Sequence, residues 1–179
     1  MLTAENALVV VIDIQDRMMP SIHAHEELEK RTASLIKGCR ILDVPVLVTQ
    51  QYTKGLGETT LALKEALGEF DPIEKITFSC CGAPEFTDKL KTSERKNIII
   101  TGVECHICVQ LTVLDLLADG YNVYVVADCV GSRREFDYKY AIKRMRQAGA
   151  VFTKMESVLF EFLVRADHPK RKEISNIVK

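Results

Sequence analysis

Short, almost wholly apolar runs alternate with longer amphipathic ones from one end of this chain to the other, and few architectures accept that order. Ala7 to Ile14 is rich in Val and Ile and reads as a strand. Glu26 to Leu42 reads as a helix, with Pro45 soon after it. Val46 to Thr49 is a second strand. Thr59 to Leu67 is a helix opened by a threonine and followed by Gly68. Pro72 to Ile76 is a short third strand. Pro84 to Leu90 is a short helix with proline in its first turn, where a missing N–H leaves no bond unmade. Asn97 to Thr101 and Val123 to Ala127 are strands four and five, and the helix Val109 to Ala118 lies between them, stopped by Gly120. Asp137 to Ala148 is a helix ended by Gly149, Ala150 to Thr153 a sixth strand, and the remainder helical. Apolar strands with amphipathic helices between them pack as a parallel sheet covered on both faces. The expectation is a single domain over 1–179: a three-layer α/β fold whose six parallel strands run in the Rossmann-like order 3-2-1-4-5-6. Gln50 to Thr60 is the most irregular stretch and is expected to loop over the sheet edge.

Composition narrows the partners. A net charge of -1 offers no surface for nucleic acid or an anionic membrane, and no apolar run approaches the length of a membrane span. Residues 1–6 carry no basic region of the kind that opens a signal peptide. Six cysteines without such a signal fit a reducing compartment rather than a disulfide framework, so the expected location is cytoplasmic.

Cys108 stands at a strand-to-helix elbow, in Gly102-Val103-Glu104-Cys105-His106-Ile107-Cys108-Val109. A helix N-terminus favours an anion, so a thiol there is expected to have a lowered pKa. In open parallel sheets, ligands bind beyond the carboxyl ends of the strands, where strand order reverses. Asp13 lies in the end of strand one, Ile12-Asp13-Ile14-Gln15, Lys75 in the end of strand three, Glu74-Lys75-Ile76-Thr77-Phe78-Ser79, and strand four ends at the elbow. The expected order brings all three to one rim: an acid, a cation and a thiol, which together can make a nucleophilic site.

The chain resembles the isochorismatase-like superfamily of cysteine hydrolases from end to end. The resemblance rests on Val9-Val10-Val11-Ile12-Asp13-Ile14-Gln15, on Lys75-Ile76-Thr77-Phe78-Ser79 and on the elbow motif, in that order. Asp115 to Tyr121 and Val125 to Arg133 also fit. The resemblance implies a catalytic triad of Asp13, Lys75 and Cys108. It also implies a cis peptide at Val103–Glu104 that aims the Glu104 N–H, with the Cys108 N–H, at an oxyanion. The implied reaction is hydrolysis of a small amide or related acyl substrate through a thioester. Gln51, Tyr52, Phe78 and His106 are the candidate pocket walls, and Arg133 a candidate for a substrate carboxylate. Nicotinamidases of the group carry an Asp-x-His metal motif after the second strand. Here that place reads Thr49-Gln50-Gln51-Tyr52-Thr53-Lys54, with no His or carboxylate, so no metal and no cofactor are expected. True isochorismatases lack the cysteine. The stretch Gln51-Tyr52-Thr53-Lys54-Gly55-Leu56-Gly57 resembles YcaC-like and isochorismatase-domain proteins.

Blander readings stand beside these. Asp13 alone is an ordinary turn cap, and Lys75 alone a solvated lysine. Arg133 serves equally well in a surface salt bridge. Cys105 and Cys108 form a Cys-x-x-Cys that would suit a thiol redox protein, and a non-catalytic scaffold would keep the fold without turnover. Cys39, Cys80, Cys81 and Cys129 read as small core or rim residues. The apolar run Val158 to Val164 exceeds what a covered sheet needs. Together with the resemblance, it leads to the expectation of a homo-oligomer, a dimer or a higher ring.

Overall fold

A computed structural model describes residues 2–179. Six parallel strands form one sheet in the order β3-β2-β1-β4-β5-β6. They are β1 (Ala7–Ile12), β2 (Val46–Gln51), β3 (Ile73–Lys75), β4 (Asn97–Val103), β5 (Asn122–Gly131) and β6 (Val151–Thr153). The expected order is thus observed, and strand order reverses between β1 and β4. All six residues of β1 are buried, as a central strand covered on both faces requires.

Helices cover the two faces, each with its own core. On one face, α1 (His25–Ile41), α3 (Leu61–Leu67), α7 (Met155–Leu163) and α8 (Arg171–Ile177) pack over Val9, Val11 and Ile99. On the other, α4 (Pro84–Thr92), α5 (Gln110–Ala118) and α6 (Glu135–Gln147) pack over Leu8, Val10, Ile98 and Ile100. A short helical turn, α2 (Thr53–Leu56), follows β2. It lies inside the stretch expected to be irregular, whose first two residues extend β2 instead. Among the described residues no helix is long and apolar enough to cross a membrane.

Two further differences from the sequence reading matter. β5 runs to Gly131, through Asp128, and its register against β4 shifts between Ile100 and Gly102. That extra length carries Ser132 and Arg133 to the elbow. The run Val158 to Val164 is mostly core: Val158, Leu159, Phe162 and Leu163 are buried, and only Phe160 and Val164 expose apolar surface. Helical periodicity turns four of its residues inward. The run therefore carries little weight as an oligomer face.

Candidate active site

The chain turns sharply where β1 ends. Asp13 has φ 53°, in the left-handed region that non-glycine residues seldom occupy. Its N–H still bonds the Thr49 carbonyl of β2 at 3.2 Å, so the turn is held by the sheet. The Asp13 side chain is fully buried. Its Oδ2 accepts from Lys75 Nζ at 2.6 Å, and its Oδ1 from Thr49 Oγ1 at 2.7 Å. Lys75 ends β3 and is equally enclosed: its ammonium also donates to Gln51 Oε1 at 2.7 Å and to the Thr77 and Phe78 carbonyls at 3.2 and 3.1 Å. A buried ion pair persists only when its remaining bonding capacity is filled, and here four oxygens surround the ammonium.

Cys108 completes the cluster. After β4 the Val103–Glu104 peptide is cis, as the family resemblance implies. Residues Cys105–Val109 form a π-helical turn that leads into α5. Cys108 is 5% exposed and interacts electrostatically with the Asp13 carboxylate. Burial pushes its pKa up to about 12, and the Asp13 charge adds to the rise while Lys75 opposes it. The expectation of a lowered pKa is therefore corrected. The N-terminal dipole of a turn is outweighed by desolvation and an adjacent carboxylate. Asp13, Lys75 and Cys108 thus meet, and at rest the thiol keeps its proton.

The other anticipated residues divide. Gln51 takes the Lys75 ammonium on its oxygen and donates its amide to the Ile76 carbonyl at 2.8 Å, so both ends of its side chain are engaged. Phe78 lends its carbonyl to Lys75 and is 59% exposed, while the ring of the exposed Tyr52 lies across Gly55. His106 bonds Ser132 Oγ through Nδ1 at 2.9 Å. Arg133 donates its backbone N–H and its Nε to the Glu104 carboxylate at 3.0 and 3.1 Å. The salt-bridge alternative for Arg133 is realised, with Glu104 as its partner.

Sequence reasoning missed three supports. Thr49 fixes one carboxylate oxygen of Asp13. Gln15 clamps the end of β2: its Oε1 accepts from Gln51 N at 2.7 Å, and its Nε2 donates to the Gln51 and Gly57 carbonyls at 3.1 and 2.6 Å. Gln15 closes the motif Val9-Val10-Val11-Ile12-Asp13-Ile14-Gln15, so the sequence carries a signal for it. Cys80, expected to be a small core residue, is indeed buried, yet it sits beside the site: its Sγ lies 3.8 Å from Thr49 Oγ1. A separate cavity of about 280 Å³ lies between α1, β5 and α6 and holds none of Asp13, Lys75 and Cys108.

The family model for the isochorismatase domain matches residues 7–157. The chain belongs to the isochorismatase family. Isochorismatase domain-containing protein 1 of Danio rerio is 37% identical over 93% of this chain. The chain spans 59% of that protein's length. Isochorismatase domain-containing protein 2 of Xenopus laevis is 35% identical over 97% of this chain and 83% of its own length. Among solved structures, the MAR1 ribonuclease of Caenorhabditis elegans is 40% identical with a TM-score of 0.93, covering 99% of this chain and 91% of that one. The YcaC gene product of Escherichia coli, described as an octameric hydrolase of unknown specificity, shares the isochorismatase fold at 23% identity. Its TM-score is 0.89, over 98% of this chain and 86% of its own.

Proposed function

We propose that this chain is a metal-independent cysteine hydrolase of small amides or related acyl compounds, with Asp13, Lys75 and Cys108 as its catalytic triad. A thiol held near pKa 12 is not a nucleophile at neutral pH, so attack requires a base in contact with it. Asp13 is that base. As the sulfur closes on the carbonyl carbon, its proton passes to Asp13, and Lys75 remains beside the pair to balance the charge. The carbonyl oxygen becomes an oxyanion received by the Glu104 and Cys108 amides, since the first N–H groups of a helical turn lack partners within it. Asp13 returns the proton to the departing amine, leaving a thioester. Water then attacks the thioester along the same route, with Asp13 again taking the proton.

The observation that carries this reading is the electrostatic coupling of the Cys108 thiol to a buried carboxylate whose hydrogen-bond partners are Lys75 and Thr49. The 5% exposure of Cys108 supports a small substrate. The worm MAR1 structure is described as a ribonuclease. Polymer hydrolysis fits this site less well, because the lysine is enclosed by protein oxygens and cannot grip a phosphodiester. A reducing, cytoplasmic setting belongs to the same proposal and is supported by six free thiols. Oligomerisation belongs to it too: the E. coli YcaC structure is described as octameric, and Phe136 and Tyr140 of α6 expose a tilted pair of rings with centroids 4.6 Å apart.

The test is turnover across a panel of small primary amides and acyl esters, with and without a chelator, beside a single-stranded RNA arm. The reading expects chelator-insensitive hydrolysis of at least one small acyl substrate, lost in Cys108→Ala. RNA cleavage surviving Cys108→Ala, or activity removed by the chelator and restored by zinc, contradicts it.

A further inference from the structure

Five of the six cysteines do no work in the proposed hydrolysis, and one of them lies against the reacting group. Cys105 is separated from Cys108 by two residues, the spacing of a redox pair. It is nevertheless buried, it interacts electrostatically with Tyr138 of α6, and neither Asp13 nor Lys75 is among the groups that shift it. Cys80 is distant in sequence and close in space. Two hydroxyl bridges join it to the site. Its N–H donates to Thr112 Oγ1 at 2.9 Å, and the same hydroxyl donates to the Cys108 carbonyl at 2.7 Å. Its Sγ is 3.8 Å from Thr49 Oγ1, which bonds the carboxylate that also acts on the Cys108 thiol. Asp13 and Lys75 each act electrostatically on both sulfurs.

We infer that Cys80 is the resolving thiol for Cys108: a peroxide that oxidises Cys108 drives the pair into a reversible Cys80–Cys108 disulfide. The chemistry balances. The Cys108 thiol, passing its proton to Asp13, attacks one oxygen of hydrogen peroxide. The O–O bond breaks, giving Cys108 sulfenic acid and one water. The Cys80 sulfur then attacks the sulfenic sulfur. An S–S bond forms, the S–O bond breaks, and the hydroxyl leaves as a second water with the Cys80 proton. Two thiols are oxidised, and one peroxide is reduced to two waters. The shared Thr112 hydroxyl bridges the Cys80 N–H and the Cys108 carbonyl, and the Cys80 sulfur acts electrostatically on Cys108.

The consequence is protection. A buried sulfenic acid with a neighbouring thiol is trapped as a disulfide before a second peroxide converts it to an irreversible sulfinic acid. High thiol pKa values make the first step slow, so millimolar peroxide is the appropriate probe. The inference rests on the proposed site but not on its turnover, because its readout is mass.

The experiment treats wild type, Cys80→Ser and Cys105→Ser with hydrogen peroxide, quenches with iodoacetamide, and maps peptides by mass spectrometry. In wild type and Cys105→Ser, a linked Cys80–Cys108 peptide lighter by two hydrogens is expected, and dithiothreitol should restore both thiols. In Cys80→Ser, Cys108 should instead gain two oxygens that dithiothreitol does not remove. A Cys105–Cys108 link overturns the inference. So does Cys108 sulfinic acid forming equally fast in wild type and Cys80→Ser, or a Cys108 that peroxide leaves unmodified. The wild-type map carries the result even if a variant fails to fold. Acyl-substrate turnover, measured separately on untreated wild type, shows whether the hydrolase reading itself has failed.

Discussion

Asp13 sits between a lysine, a threonine and a thiol, and its substitution separates two effects that the intact site combines. Asp13→Asn removes the proposed base, so turnover should be lost. It also removes a charge that raises the Cys108 pKa, so the midpoint of the pH profile for Cys108 alkylation by iodoacetamide should move to lower pH than in wild type. An unmoved midpoint together with retained turnover would remove Asp13 from the mechanism. Lys75→Met leaves the Asp13 carboxylate buried without its counter-ion. The expected cost is about 3–5 kcal/mol of stability, measured by urea denaturation. A loss well below 1 kcal/mol would mean that the pair is solvated. Little of this was legible from single residues. An aspartate at a strand end and a lysine in a short strand are commonplace, and only their order relative to the elbow motif marked them. Thr49 and Cys80 gave no signal, because a hydroxyl or thiol inside a strand or loop looks the same whether it faces a core or a carboxylate. The direction of the Cys108 pKa was misjudged for a physical reason. The helix end can be read in the sequence, whereas the burial and the adjacent carboxylate depend on contacts between distant segments.

Elements were easier to read than the side chains they deliver. Six strands in a covered parallel sheet followed from apolar runs between helical patterns, because two covered faces demand that composition, while their order came only with the Rossmann-like expectation. The end of β5 was missed because Asp128 and Gly131 interrupt the apolar run, although pairing with β4 continues to Gly131. The elbow also depends on a close crossing at Gly102, next to the register shift. Its φ is 123°, and a Cβ there would lie 2.1 Å from the Ile12 carbonyl oxygen. Ile12 immediately precedes Asp13, so any displacement reaches the site. Gly102→Ala is expected to destabilise the fold by at least about 2 kcal/mol and to lower turnover in the fraction that folds. A thermal midpoint within a degree or so of wild type would show that β1 and β4 separate more freely than this geometry allows.

At the scale of the whole molecule, the buried cysteines set an alkaline limit. Burial pushes Cys39, Cys80, Cys105 and Cys108 up to about 12, and Cys129 is raised as well. In the unfolded chain these thiols titrate near 9.0. The native state therefore keeps protons that the unfolded state releases. The stability from this source is complete below about pH 9 and falls as pH rises from there toward 12. The thermal midpoint should decline between about pH 9 and about pH 11, and more gently in Cys39→Val, which fills similar space without titrating. An unchanged midpoint over that range contradicts the burial of these thiols. Assembly is settled by light scattering at micromolar concentration. The proposed homo-oligomer requires a particle larger than the 20.2 kDa chain, and a particle of that mass would refute it. The fold could be read at this scale because helix and sheet covering are patterned in sequence. The partner face could not, since the apolar run that pointed to it is largely consumed by the core.

The central claim is that Cys108 carries the acyl group. Wild type, Cys108→Ala and Cys105→Ala are mixed with a turned-over small acyl substrate, quenched in acid within the first turnovers, and weighed intact before peptide mapping. An acyl mass on Cys108 in wild type and Cys105→Ala, absent from Cys108→Ala together with all turnover, is the predicted result. An acyl group on Cys105, or hydrolysis that continues without Cys108, would contradict the account.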